Sequence, residues 1–172
     1  MRAIVIAVLA LVACSEPERE PVGITRQALG APVVTTNAAT LVTSSSATLN
    51  GSGNPNEAAT AGYFRYSTTS PGTCNDLFGT RLPSSSFSDV SLGSGTSAVP
   101  YSLALSSLTP GTTYYFCALA RNSFGTSVGA VLSFTTLPAA PTVNTGASSN
   151  RTGTTATLNG SANPGGAATT AW

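Results

Sequence analysis

Residues 108–125 read LTPGTTYYFCALARNSFG, which combines a turn signal with a long alternating run. The Pro110–Gly111 pair marks a turn, because proline presets φ and glycine tolerates a positive φ. Beyond the turn the residues alternate between two faces, and one face carries Tyr114, Phe116, Ala118 and Ala120. A period of two residues is typical of a β-strand with one face against a core. The stretch therefore predicts a turn that leads into a long strand.

The rest of residues 31–138 repeats this pattern of short alternating runs between turn signals, such as Asn54–Asn56 and Ser70–Gly72. The large inward-facing residues expected to form the core are Leu49, Phe64, Tyr66, Leu103, Leu105, Tyr114 and Phe116. Residues 79–99 are rich in Ser and Gly and weakly patterned, so they give no firm strand assignment. The expected fold class is all-β.

A second feature is an internal repeat. Residues 46–60 read SATLNGSGNPNEAAT and residues 155–169 read TATLNGSANPGGAAT, so that Ala47 matches Ala156 at an offset of 109. One such period is about the size of a β-sandwich domain of roughly 100 residues. We therefore expect one domain over 31–138 and an incomplete second copy over 139–172, which is too short to close a core by itself.

The residues quoted first carry a family resemblance. Leu108–Tyr114, followed by Ala118, Ala120, Asn122 and Gly125, resembles the L-x-P-G-T-x-Y…A-x-N…G signature of fibronectin type III domains. The resemblance implies an immunoglobulin-like antiparallel β-sandwich. It also implies that Tyr114 is a tyrosine corner whose hydroxyl bonds to the backbone upstream.

The resemblance bears on the cysteines as well. In the fibronectin type III layout, the strands near Cys74 and Cys117 are neighbours in one sheet, and export from the cytoplasm would allow oxidation. A Cys74–Cys117 disulfide is therefore the favoured expectation, with two free thiols as the alternative.

The N-terminus predicts export. Arg2 precedes an unbroken apolar run from Ala3 to Ala13, which fits a signal-peptide core and is too short for a stable membrane span. The run ends at Leu11-Val12-Ala13-Cys14, which resembles the lipobox of bacterial lipoproteins. We expect a signal peptide over 1–13, lipidation of Cys14, and a flexible tether over 14–30. The chain would then sit in the bacterial cell envelope, at the outer membrane or cell surface. An ordinary secretory signal is the alternative.

The composition argues against several kinds of chemistry. The chain has no His, and its net charge of +1 gives no electrostatic case for nucleic acid. The only carboxylates of the expected domain are Glu57, Asp76 and Asp89, and they are scattered along it. Two cysteines without His make a poor metal site. We therefore expect no catalytic residues, no metal and no cofactor.

The leading hypothesis is a non-catalytic, lipid-anchored spacer or interaction module. One alternative is an adhesin module that binds polysaccharide or protein through a sheet face with Tyr63, Arg65 and Tyr115, which alternation points away from the core. The favoured interpretation of those three residues is that their face packs against the long loop or a neighbouring domain. Another alternative is the front part of a secreted enzyme whose catalytic domain lies beyond residue 172.

Overall fold

The computed structural model describes residues 29–170 and is built from antiparallel strands. The strands are β1 Val33–Thr40, β2 Ser46–Asn54, β3 Thr60–Ser67, β4 Thr80–Leu82, β5 Val90–Gly93, β6 Val99–Ser106, β7 Thr113–Asn122, β8 Gly125–Val128, β9 Leu132–Thr135, β10 Thr142–Ser149 and β11 Thr157–Asn163. A single 3₁₀ turn, Ser86–Ser88, lies between β4 and β5. The predicted signal peptide and Cys14 lie outside the described residues.

Two sheets pack face to face to form the sandwich. The first has the order β1-β2-β6, and the second has the order β4-β3-β7-β8, with β5 also paired to β3 and β9 to β7. Alternation determines which residues meet between the sheets, since the inward residues of β2 are all buried while the others are half-exposed. The all-β sandwich expected from the sequence is therefore confirmed.

The main core lies between the two sheets. Its large buried members are Leu49, Phe64, Leu92, Tyr101, Leu105, Leu108, Tyr114 and Phe116. Tyr66 and Leu103 are half-buried at its edge, as are Leu82 and Phe134. The predicted core residues thus all contact this cluster. The buried hydroxyl of Tyr101 donates a hydrogen bond to the backbone oxygen of Leu119 at 2.8 Å, which satisfies its polar end inside the core.

Small residues allow Tyr101 to lie across the core. A Cβ added at Gly62 would lie 2.9 Å from the Tyr101 ring, and one added at Gly51 would lie 2.8 Å from the Ala118 Cβ. Gly51 belongs to one sheet and Ala118 to the other, so a side chain here would push the sheets apart. The close approach of the sheets depends on these glycines.

The weakly patterned stretch 79–99 contains two short strands and the 3₁₀ turn. β4 pairs with β3 from Phe64↔Leu82 to Tyr66↔Thr80, and β5 pairs with the start of β3. These elements are three and four residues long, so they are too short to show a clear period in the sequence. They extend the second sheet beyond β3.

A separate ribbon follows the sandwich. β10 and β11 form a two-stranded antiparallel sheet whose residue pairs are those of β1 and β2 shifted by the offset of the sequence repeat. Val33↔Asn54 becomes Thr142↔Asn163, and the irregularity after Asn37 recurs after Gly146.

The match between the ribbon and the first hairpin extends to side-chain hydrogen bonds. Asn50 donates through Nδ2 to the Ala38 oxygen at 2.8 Å, and Asn159 donates to the Ala147 oxygen at 2.7 Å. The environments differ, however. Leu49 is 0% exposed in the sandwich, whereas its counterpart Leu158 is 86% exposed. The ribbon thus has the local geometry of β1–β2 without a core to cover it.

Candidate functional site

A disulfide attaches the segment between β3 and β4 to the outer face of the second sheet. The Cα atoms of Cys74 and Cys117 lie 6.2 Å apart, and the two sulfurs are bonded. Cys117 is fully buried on the face of β7 opposite Phe116. The predicted disulfide is therefore confirmed.

The segment held by this disulfide forms a second, smaller core. Tyr63, Phe78, Cys117 and Leu119 are buried together, with Cys74 and Tyr115 packed against them. Phe78 comes from the segment itself, and it covers a sheet face that would otherwise be open to solvent. The sandwich therefore has hydrophobic packing on both faces of β3 and β7.

The face with Tyr63, Arg65 and Tyr115 is largely covered. These side chains point away from the main core, as alternation predicts, but Tyr63 is only 1% exposed and the Arg65 side chain 16% exposed. Residues 68–79 fold back over this face, so Tyr63 does not offer the open surface that the adhesin alternative requires. Alternation shows which face a side chain takes but not what covers that face. The pairing of Cys74 with Cys117 was the signal that could have shown this.

A polar network runs along the covered face. The Tyr63 hydroxyl donates to Asp76 Oδ1 at 2.8 Å, and the Arg65 guanidinium donates to the same oxygen at 3.3 Å. Burial is the main cause that raises the pKa of Tyr63, and its hydrogen bond to the Asp76 carboxylate raises that pKa further. One oxygen of Asp76 thus accepts from two donors on β3.

A buried carboxylate marks the next part of the network. Asp89 has a side chain that is 2% exposed, and the Arg81 guanidinium donates to both of its oxygens at 2.7 Å. Arg121 approaches the second oxygen at 3.5 Å and stays 47% exposed. The Arg81 guanidinium also lies over the Tyr63 ring at 4.0 Å, so it is held from two sides. Three charged groups therefore meet across β3, because Arg81 lies on β4, Asp89 directly precedes β5 and Arg121 lies on β7.

An open groove of about 510 Å³ lies beside these charges. Its lining consists of Ala59, Thr60, Ala61, Ser86, Asp89, Ser91, Gly93, Arg121 and Asn122. The volume falls within the range of about 300–1,000 Å³ usual for small-ligand sites. Phe87, between two lining residues in the sequence, is fully exposed. No local sequence pattern predicts this groove, because its walls come from residues 59–61, 86–93 and 121–122.

A second open groove, of about 460 Å³, lies beside Tyr115, one of the three residues predicted for the binding face. It is lined by Ala38, Ser70, Gly72, Tyr115, Val131, Leu132 and Ser133. No charged side chain lines it. Of the three residues predicted to form a binding face, Tyr115 is thus the one that borders a groove.

Tyr114 lies on the core side of β7. Its hydroxyl oxygen accepts a hydrogen bond from the backbone N–H of Thr109 at 3.0 Å. This contact spans the Pro110–Gly111 turn, where Gly111 has a φ of 63°. Its role is to hold the turn to the strand.

Asp76 and Asp89 are each paired with arginine. No group of three His, Cys, Asp or Glu side chains within residues 29–170 could hold a metal ion. The same residues contain no helix that could span a lipid bilayer.

Comparison with known proteins gives likeness at the level of structure only. No family model matches the chain, and no curated protein matches it. Among solved structures, the chain is similar to the sensor domain of the anti-sigma factor RsgI4 of Pseudobacteroides cellulosolvens. The shorter form is 16% identical, with a TM-score of 0.39 over 64% of this chain and 98% of that one. A solution structure of the same domain is 18% identical, with a TM-score of 0.39 over 61% and 74% of the two chains.

Proposed function

We propose that this chain is a non-catalytic interaction module of the bacterial cell envelope, built on a fibronectin type III-like sandwich. The observation that carries the proposal is the Cys74–Cys117 disulfide that clamps a surface segment onto an all-β sandwich. Disulfides persist in oxidising compartments outside the cytoplasm. The disulfide holds this segment on the sheet face, where its side chains pack. A surface that is fixed in this way suits a recognition scaffold more than a mobile active site.

The arrangement of the polar side chains supports the non-catalytic part of the proposal. General acid–base catalysis needs a group that can gain and lose a proton within reach of a substrate. Asp76 accepts from Tyr63 and Arg65, and Asp89 is buried against Arg81. The test is to assay the purified full chain against glycosides, esters and peptides. Turnover that disappears in Asp76→Asn or Asp89→Asn, with the fold intact, would contradict it.

We also propose that Cys14 carries a lipid anchor after removal of residues 1–13. The support is the apolar run that ends at Leu11-Val12-Ala13-Cys14. Mass spectrometry of the membrane fraction should detect acyl groups on Cys14, and Cys14→Ala should release the chain from that fraction. A mature soluble chain cleaved at another position would contradict the anchor.

We further propose that residues 139–172 begin a second sandwich of the same kind. The support is the shared register, bulge and Asn side-chain bonds of β1–β2 and β10–β11. In the first sandwich, β2 pairs with β6 from Ser46↔Ser106 to Gly53↔Val99. In a completed second domain, a strand that resembles β6 would therefore pair with the edge of β11 that faces away from β10. A longer form of the chain that leaves β11 exposed would contradict this proposal.

A further inference from the structure

We infer that the groove between residues 59–61, 86–93 and 121–122 binds a polysaccharide that carries carboxylate groups. This rests on the proposed function, and it specifies the ligand class of the interaction module. We call the groove the Arg121 groove. The argument uses the free charge of Arg121, the chemistry of the lining and the exposed ring of Phe87.

The charge of the groove is concentrated on Arg121. Arg81 donates to both oxygens of Asp89 at 2.7 Å, and Asp89 is almost fully buried, so these two charges largely neutralise one another. Arg121 makes only a longer contact of 3.5 Å with Asp89, and about half of its side chain faces solvent. Among the described residues its guanidinium has no shorter polar contact. Arginine presents a planar fork of donors that matches the two oxygens of a carboxylate.

Pairing with the strands on both sides fixes the backbone position of Arg121. It lies on β7 opposite Ala61 of β3 and Thr126 of β8, inside the sheet rather than on a loop. The adjacent Asn122 donates through Nδ2 to the oxygens of Gly30 and Pro55, at 2.9 and 3.2 Å. A recognition side chain on a strand is positioned better than one on a mobile segment.

Phe87 is an aromatic residue that directly follows the lining residue Ser86 in the chain. It is fully exposed, although a large apolar side chain in this position gains nothing for the fold. Its turn is ordered by local bonds, because the Ser85 hydroxyl accepts from the Phe87 N–H and the Ser85 carbonyl oxygen accepts from the Ser88 N–H. The neighbouring Ser86 lines the groove. The Phe87 ring itself is fully exposed, so its face is open for a sugar ring to stack on.

The lining favours a sugar over a peptide. Peptide recognition uses pockets for apolar side chains or an extended strand edge. The Arg121 groove is lined by hydroxyl, amide, guanidinium and small aliphatic groups and by the Asp89 carboxylate, which is paired with Arg81, and none of its lining residues has a large apolar side chain. Ser86 and Ser91 offer exposed hydroxyls, which suit the many hydroxyls of a polysaccharide. In the inferred complex, the sugar hydroxyls contact the serines, the sugar ring stacks on Phe87 and the carboxylate pairs with Arg121.

The experiment is calorimetric titration of the full chain in detergent with trigalacturonic acid, and with its methyl ester as the neutral control. We expect the acid to bind and the ester to bind at least tenfold more weakly. Arg121→Gln and Phe87→Ala should each weaken acid binding at least tenfold. Arg151→Gln and Leu41→Ala replace an arginine and an exposed apolar residue outside the groove, so they should leave binding unchanged.

Several outcomes would overturn the inference. These are equal binding of acid and ester, no binding of either, equal or tighter binding of a glutamate-rich peptide, or unchanged affinity in both groove variants. If Arg121→Gln lowers the melting temperature, Arg121→Lys decides, because it keeps the charge and removes the fork. Absence of binding would leave the proposed non-catalytic module intact. Hydrolysis of the trisaccharide would contradict the proposed function without removing the binding site.

Discussion

The hydroxyl oxygen of Tyr114 accepts a hydrogen bond from the backbone N–H of Thr109, 3.0 Å away, and so ties the start of β7 to the turn that precedes it. We expect Tyr114→Phe to lower the free energy of unfolding by about 1–2 kcal/mol, because a half-buried N–H loses its acceptor. Urea unfolding measures the change. Tyr66→Phe is the matched control, since the Tyr66 hydroxyl has no hydrogen bond to the described residues. Equal effects in the two variants would show that the bond contributes nothing.

The disulfide should stabilise the sandwich chiefly by restricting the unfolded chain. Its sequence separation of 43 residues corresponds to about 4 kcal/mol in the loop-entropy description. We expect the double variant Cys74→Ala/Cys117→Ala to lose most of this amount in urea unfolding. Hydrogen exchange of residues 68–79 should also accelerate, because this segment would no longer be attached to β7. Unchanged protection would show that Phe78 alone holds the segment.

Two buried tyrosines should make the protein sensitive to alkali. Burial raises the pKa of Tyr63 and of Tyr101 well above the ordinary value of about 10. Above about pH 10 the unfolded chain loses these protons while the folded chain keeps them. Stability is therefore fully present below that pH and falls above it, by about 1.4 kcal/mol per pH unit for each tyrosine.

The pH dependence of the unfolding free energy between pH 9 and 12 tests this expectation. Tyr63→Phe and Tyr101→Phe should each make the alkaline decline less steep. Tyr115→Phe serves as the control, because it removes a tyrosine hydroxyl from the same sheet face while Tyr63 and Tyr101 are kept. A decline that keeps its full slope in the first two variants would contradict the assignment.

The repeat provides a matched pair of glycines. A Cβ at Gly51 would lie 2.8 Å from the Ala118 Cβ, whereas the nearest atom to a Cβ at Gly160 is the Asn144 oxygen at 3.3 Å. We expect Gly51→Ala to destabilise the sandwich by about 1–3 kcal/mol. Gly160→Ala should change the main unfolding transition by less than about 0.5 kcal/mol. Similar losses in both variants would show that the ribbon packs as the first hairpin does.

The ribbon should be the less protected of the two copies. Backbone amides of β10 and β11 are expected to exchange with solvent much faster than those of β7, because Val143 and Leu158 are 77% and 86% exposed. Native-state hydrogen exchange read by mass spectrometry measures the difference. Protection equal to that of β7 would mean that another surface covers the ribbon.

The sequence was sufficient for the features that depend on local periodicity. Alternation along 113–122 placed Tyr114 and Phe116 on one face and Cys117 on the other, and the structure has this arrangement. The shared offset likewise anticipated the common register of β1–β2 and β10–β11. These features follow from the two-residue period of a strand and from chemistry repeated at fixed spacing.

What covers each face, and which distant residues meet, depends on the tertiary structure. Alternation turned Tyr63 away from the main core, but it did not show that residues 68–79 fold over it, because a loop path has no period to read. The Arg121 groove likewise joins residues from β3, β5 and β7 with the 3₁₀ turn. The contact of Asp89 with both Arg81 and Arg121 depends on sheet pairing between segments far apart in the chain, which local sequence does not encode.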